Sequence, residues 1–119
     1  MARDYWHNFA EKKLYGIEIS EAIARVAKMN MILHDDGHTN VISHDGLDDI
    51  EKMRQINREF RPENFDFIFT NPPFGAVVKS TESDYLDSYD LGMNGKKMRT
   101  TQKTEILFLE RAWQFLKPG

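Results

Sequence analysis

Two consecutive prolines, Pro72 and Pro73, impose the tightest constraint on how this chain can fold. They follow the apolar run Phe67-Ile68-Phe69 inside the stretch Phe65–Gly75, which reads FDFIFTNPPFG. Such a run reads as a short buried strand. Proline cannot donate to a sheet ladder, so the strand must end at Asn71. Pro72 also biases Asn71 away from helical geometry and keeps its backbone extended. An amide side chain and an aromatic ring, Phe74, are thereby held on a stiff turn at a strand's carboxyl end. Open α/β sheets bind their ligands at such ends. The plain alternative is an Asn-Pro turn that does nothing but close the strand.

The rest of the chain is read against that stop. Arg3–Lys12 carries Tyr5 and Phe9 four apart and is expected to be a helix packed on a sheet. Leu14–Ile19 reads as a second buried strand. Ser20 is placed to cap a following helix, with Glu21 in its first turn. Ile23, Val26, Ala27, Asn30 and Leu33 recur at helical spacing and predict a core-facing stripe. Met29 and Met31 belong to its packing, and Asp36-Gly37 ends it. Val41-Ile42-Ser43 is a third short strand. Asp48–Phe60 is laced with charge and reads as a surface helix. Ala76–Gln102 is a long polar loop without sustained periodicity, expected to be partly disordered. Tyr85 and Tyr89 within it are candidates for one helical face or for stacking groups. Glu105–Leu116 is a helix with a wide apolar stripe built on Ile106, Leu109, Trp113 and Leu116. Helices alternating with strands predict a mostly parallel sheet flanked by helices, with right-handed crossovers.

Composition narrows the function classes. A chain of 119 residues suffices for a single small domain. Without cysteine it has no disulfide framework and no thiolate metal site, which fits a cytoplasmic setting. No run is long and apolar enough for a membrane-spanning helix. The net charge of −3 argues against a self-sufficient DNA binder. Lys96, Lys97 and Arg99 form the basic cluster of the polar loop and are candidate phosphate contacts.

Two acids stand at strand ends. Glu18 closes the second strand, where a carboxylate can accept both hydroxyls of a ribose or simply face solvent. Asp45 follows the third strand and can accept from an adenine amino group. His34, Asp35, Asp36, His38, His44 and Asp45 invite a metal reading, but their spacing matches no metal signature and a solvated loop is favoured. The turn at Asn71 suits attack by an exocyclic amine. That nitrogen's lone pair is delocalised into its ring. Two acceptors on its N–H bonds, the Asn71 side chain and the Pro72 carbonyl, would draw it toward tetrahedral geometry. Phe74 can stack on an extruded base, a contact worth roughly 1–3 kcal/mol.

Four stretches, in order, carry a resemblance: YGIEIS with AKMNMILHDDG, NVISHDGL, FDFIFTNPPFG and ILFLERAWQFLKPG. Together the chain resembles the catalytic region of N6-adenine DNA methyltransferases, nearest to the modification subunit of type I restriction-modification systems. The resemblance implies a Rossmann-like methyltransferase fold and S-adenosylmethionine as methyl donor. It implies that Glu18 binds the donor's ribose and Asp45 its adenine amino group, with Ile19, Gly46, Leu47 and Asn71 also binding the cofactor. Asn71, Pro72, Pro73 and Phe74 would form the catalytic turn, and no metal is implied. DNA would be the substrate, with specificity and endonuclease subunits as partners and no membrane association. Methylation of protein glutamine or RNA bases uses a similar turn and is the alternative activity. A non-catalytic remnant of the fold is the other.

The family's glycine-rich cofactor turn, its first strand and its later strands find no match within the chain. The expectation is therefore a partial domain spanning 1–119, binding the cofactor weakly or not at all and inactive when isolated. Its unpaired strand edges would either pair with each other or drive self-association.

Overall fold

The computed structural model describes residues 2–34, 40–79, 86–95, 97–98 and 101–119. It divides into two compact units, Met1–Gly46 and Leu47–Gly119.

The first unit begins with helix α1 (Ala2–Lys13) and strand β1 (Gly16–Glu18). Helix α2 (Glu21–Leu33) and strand β2 (Val41–Ser43) follow. Ser20 caps α2 as its sequence suggests, its hydroxyl accepting from the Ile23 N–H at 3.3 Å. The helix stops at Leu33 with His34 as its cap; Asp36 and Gly37 lie outside the described residues. β1 and β2 form a parallel ladder in the register Gly16–Val41, Ile17–Ile42 and Glu18–Ser43. The Asn40 side chain, itself buried, donates to the Glu11 carbonyl and ties α1 to the start of β2.

The faces of these helices correct the expectation. Ala10 is the buried residue of α1 and Ala24 that of α2, while Tyr5, Trp6, Phe9, Ile23, Val26, Met29 and Leu33 stay exposed. The ladder explains this. Two strands of three residues make a patch about 10 Å on a side. A helix the length of α2 runs about 20 Å. Periodicity says which face of a helix is apolar, not whether anything lies against it.

The second unit contains helix α3 (Ile50–Ile56), strand β3 (Val77–Lys79) and two short 3₁₀ turns, Leu86–Ser88 and Asp90–Gly92. Strands β4 (Met93–Asn94), β5 (Lys97–Met98) and β6 (Thr101–Lys103) lead into helix α4 (Thr104–Phe115). β3 pairs with β6, and β4 with β5, both antiparallel. Among the described residues the sheet is thus one parallel ladder and two antiparallel ones, a mixed α/β arrangement rather than a mostly parallel sheet. The polar stretch 76–102 carries short elements where no periodicity predicts them. Residues 80–85, 96 and 99–100 of that stretch, with Tyr85, Lys96 and Arg99, lie outside the described residues.

The core of this unit gathers Leu47, Leu86, Tyr89 and Leu107, with Phe108 packed against it. Tyr89 is therefore a core side chain and not a surface stacking group. Its hydroxyl donates to the Leu47 carbonyl at 2.6 Å. α4 buries Thr104, Leu107, Arg111 and Phe115 and leaves Leu109 and Trp113 exposed, so its inward face lies roughly 180° round the helix from the line through Ile106, Leu109, Trp113 and Leu116. The apolar stripe is wide enough to admit several orientations, and the partner side chains select Leu107. Arg111, 5 % exposed, is tolerated on that face. Its guanidinium lies 5.0 Å from the Tyr89 ring centroid and 5.7 Å from that of Phe115.

Candidate functional site

In the first unit the two strand-end acids come to the same rim. Glu18 is the last residue of β1 and pairs with Ser43, the last residue of β2, so Asp45 lies two residues beyond Glu18's partner at the same carboxyl end. The His44 N–H donates to the Glu18 carbonyl at 3.0 Å and carries the ladder one step further toward Asp45. Both acids are half-buried. One Glu18 carboxylate oxygen accepts from the Ser20 N–H at 2.9 Å, which orients the group across the turn into α2. Its other oxygen accepts no hydrogen bond from the described residues. Ile19 is exposed beside it and Gly46 is half-buried. A carboxylate held by one oxygen at a parallel strand's end fits a ribose diol. Leu47 packs its side chain in the core of the second unit.

In the second unit the Asn71–Phe74 turn sits on a segment that differs from expectation. Residues 67–70 form no strand among the described residues. Phe67 and Phe69 are 81 % and 94 % exposed, and Ile68 between them is half-buried. An extended run becomes a strand only when a neighbour takes up its N–H and C=O groups. Among the described residues none pairs with 67–70, so the alternation survives but the ladder does not form.

α4 holds this segment at both ends. At the helix's carboxyl end, orphan carbonyls of the last turn are taken up by the incoming chain. Glu63 N–H donates to Gln114 O at 2.9 Å, and Asn64 and Phe65 N–H to Phe115 O at 3.0 and 2.9 Å. Lys117 N–H returns a bond to Phe65 O at 2.9 Å, completing a parallel bridge between Phe65 and Leu116. Phe65 also meets Phe60 and Phe115 with ring centroids 6.0 and 5.7 Å away. At the amino end, Thr104 donates its backbone N–H to Ala76 O at 3.1 Å. Its hydroxyl lies 3.0 Å from Pro73 O and 3.3 Å from Ala76 O.

Between these anchors the turn presents its side chains outward. Asn71 and Pro73 are exposed, Pro72 is half-buried and Phe74 is 82 % exposed. Gly75 has φ +79° with no atom within 4 Å of where a Cβ would be. Glycine is required there by backbone sign and not by crowding. An amide and an uncovered ring on a turn fixed at both flanks can engage a flat base from solvent.

A sequence model of the N-6 DNA methylase family matches residues 2–119. The chain belongs to that family. Membership points to methylation of adenine in DNA as the general activity, and such methylases as a class depend on S-adenosylmethionine. Searches of curated proteins and of solved structures returned no match.

Two features of this methylase were not read from its residues. Thr104 appears in sequence as an ordinary helix-start residue, and its bond to Pro73 spans 31 positions. A groove of about 480 Å³ on the second unit is lined by Asp49, Pro62, Arg111 and Trp113 among others, and no residue of the Asn71–Phe74 turn lines it. Among the described residues no group of three or more His, Asp or Glu converges as a metal site, and Asp35, Asp36 and His38 lie outside them. No helix among the described residues is long and apolar enough to cross a membrane.

Proposed function

We propose that this methylase transfers a methyl group from S-adenosylmethionine to the N6 amino group of adenine in DNA, as the catalytic region of a type I modification subunit in the cytoplasm. The observation that carries the reading is the anchored turn Asn71–Phe74, an exposed amide and ring on a segment fixed at both ends within a chain of this family. The Asn71 side-chain oxygen and the Pro72 carbonyl accept the two N–H bonds of the target amine. This pulls its lone pair out of conjugation with the ring. Phe74 stacks on the extruded base. Glu18 holds the donor's ribose, and Asp45 accepts from its adenine amino group. When bound, the donor supplies an electrophilic methyl group. The target nitrogen would take that methyl directly, with the C–S bond broken, the donor leaving as a neutral thioether and the nitrogen losing one proton to water, so no covalent enzyme intermediate is needed. The rate advantage comes from orientation and from the two hydrogen bonds on the amine. Specificity and endonuclease subunits supply most phosphate contacts, because a chain of net charge −3 supplies few.

The test is methyl transfer by the native protein from labelled S-adenosylmethionine to duplex DNA, with the product base identified by mass spectrometry. N6-methyladenine should form, and Asn71→Ala should lower the rate at least about 100-fold. Labelling of RNA or a glutamine-containing peptide in place of DNA would overturn the reading. An Asn71→Ala protein as active as the native one would do the same.

A further inference from the structure

We infer that Thr104 is a positioning residue for the base-gripping turn, acting through the carbonyl of Pro73. The inference rests on the proposed methyl transfer at Asn71–Phe74.

Thr104 opens α4 and is 8 % exposed. A threonine at a helix start ordinarily serves the helix itself, its oxygen accepting from an orphan N–H. Here the capping position belongs to Lys103, which makes no side-chain cap bond. The Thr104 hydroxyl instead faces two carbonyls across the chain, Pro73 O at 3.0 Å and Ala76 O at 3.3 Å. It has one hydrogen to give. Pro73 O is the nearer of the two, and Ala76 O already receives the Thr104 backbone N–H at 3.1 Å, so Pro73 O is the favoured acceptor for the hydroxyl's hydrogen.

That bond reaches the chemistry through backbone torsions. The proline ring of Pro73 locks its φ near −65°, and the peptide bond ahead of it is planar. A single soft torsion, ψ of Pro73, therefore separates the Pro72 carbonyl from the Pro73 carbonyl. Holding the second carbonyl on Thr104 aims the first at the amine. The same bond fixes the plane from which Phe74 departs, a ring that is 82 % exposed. Thr104 is buried at the head of a helix whose other end is tied to Phe65. It thus supplies a fixed reference for a turn that is otherwise in solvent. Its role is positioning, because its hydroxyl is directed at the turn's backbone carbonyls.

The experiment compares native protein, Thr104→Val and Thr104→Ser. Three quantities are read: single-turnover methyl transfer, DNA affinity, and backbone amide exchange over residues 74–77. Removing the hydroxyl should slow transfer about 10- to 100-fold, the scale of an ångström-sized misplacement. DNA affinity should stay within about twofold. Exchange should quicken in Thr104→Val, and Thr104→Ser should restore both rate and protection. If Thr104→Val does not fold, Thr104→Ala replaces it in the same comparison. A native transfer rate in the hydroxyl-free variant overturns the inference. So does a serine variant as slow as the valine one, since the side chain's methyl group would then be what matters. If the native protein methylates no DNA adenine, the proposed function fails by itself. Exchange over 74–77 then decides whether Thr104 holds the turn, and unchanged exchange overturns that too.

Discussion

Replacing Tyr89 by phenylalanine isolates one hydrogen bond in the core of the second unit. The ring is fully buried and keeps its packing against Leu47, Leu86 and Leu107 in the variant. What disappears is a hydroxyl donating to Leu47 O at 2.6 Å across 42 residues. The same carbonyl has Arg111 Nη2 at 3.5 Å, at the outer limit of a useful bond. An ordinary buried hydrogen bond contributes about 1 kcal/mol net, and stranding its buried partner raises the cost to about 1–3 kcal/mol. Arg111 compensates only in part, so the expected loss is about 1.5–2.5 kcal/mol. Native-state amide exchange of α4 reads this unit directly, and its slowest amides should exchange roughly 10- to 70-fold faster. In urea the midpoint should fall with the slope unchanged, because the surface exposed on unfolding is the same. A loss below about 0.5 kcal/mol at constant slope would refute the reasoning. It would mean that Arg111 or water fully replaces the hydroxyl.

Two further substitutions test the packing around this core. A Cβ on Gly92 would overlap the Leu86 carbonyl, which belongs to backbone and cannot swing aside, so Gly92→Ala should cost at least about 1–3 kcal/mol in a urea titration. Glu110 accepts from the Asp90 and Leu91 N–H groups at 2.9 and 2.7 Å, in the manner of a remote cap for the second 3₁₀ turn. Glu110→Ala should cost about 1 kcal/mol, and Glu110→Gln, which keeps one acceptor oxygen, about half of that.

Local signals in the sequence located the elements that local physics decides. The Ser20-Glu21 start of α2, the β1 and β2 strands and the end of α4 at Phe115, just ahead of Pro118, are all written in neighbouring residues. Gly95 is a turn signal of the same kind inside a polar stretch. It directly follows β4, with φ +66°, on the way into β5. The face of α4 was not legible, because Ile106, Leu107, Phe108, Leu109, Ala112, Trp113, Phe115 and Leu116 offer apolar atoms around most of its circumference. An arginine on the buried side is counter to hydropathy. It becomes reasonable only once the Tyr89 and Phe115 rings are known to lie within cation–π distance of it.

The candidate site divides along the same line. Glu18 and Asp45 could be placed on one rim from sequence, since each follows a strand and parallel neighbours end on the same side. The turn at Asn71 was legible as a chain stop, but what holds it was not. A strand was expected because Phe67-Ile68-Phe69 has the composition of one. A strand, however, is a property of two segments, and pairing depends on a neighbour that composition cannot name. In its place the turn is secured by a helix lying 30 residues further along the chain, through Phe65 at one end and Thr104 at the other. That arrangement carries a consequence for the chemistry. A turn fixed by a ladder would owe its geometry to many interchangeable backbone bonds. A turn fixed by a helix start owes it to few, and one of them is a side-chain hydroxyl that a single substitution removes without disturbing the proline pair it positions.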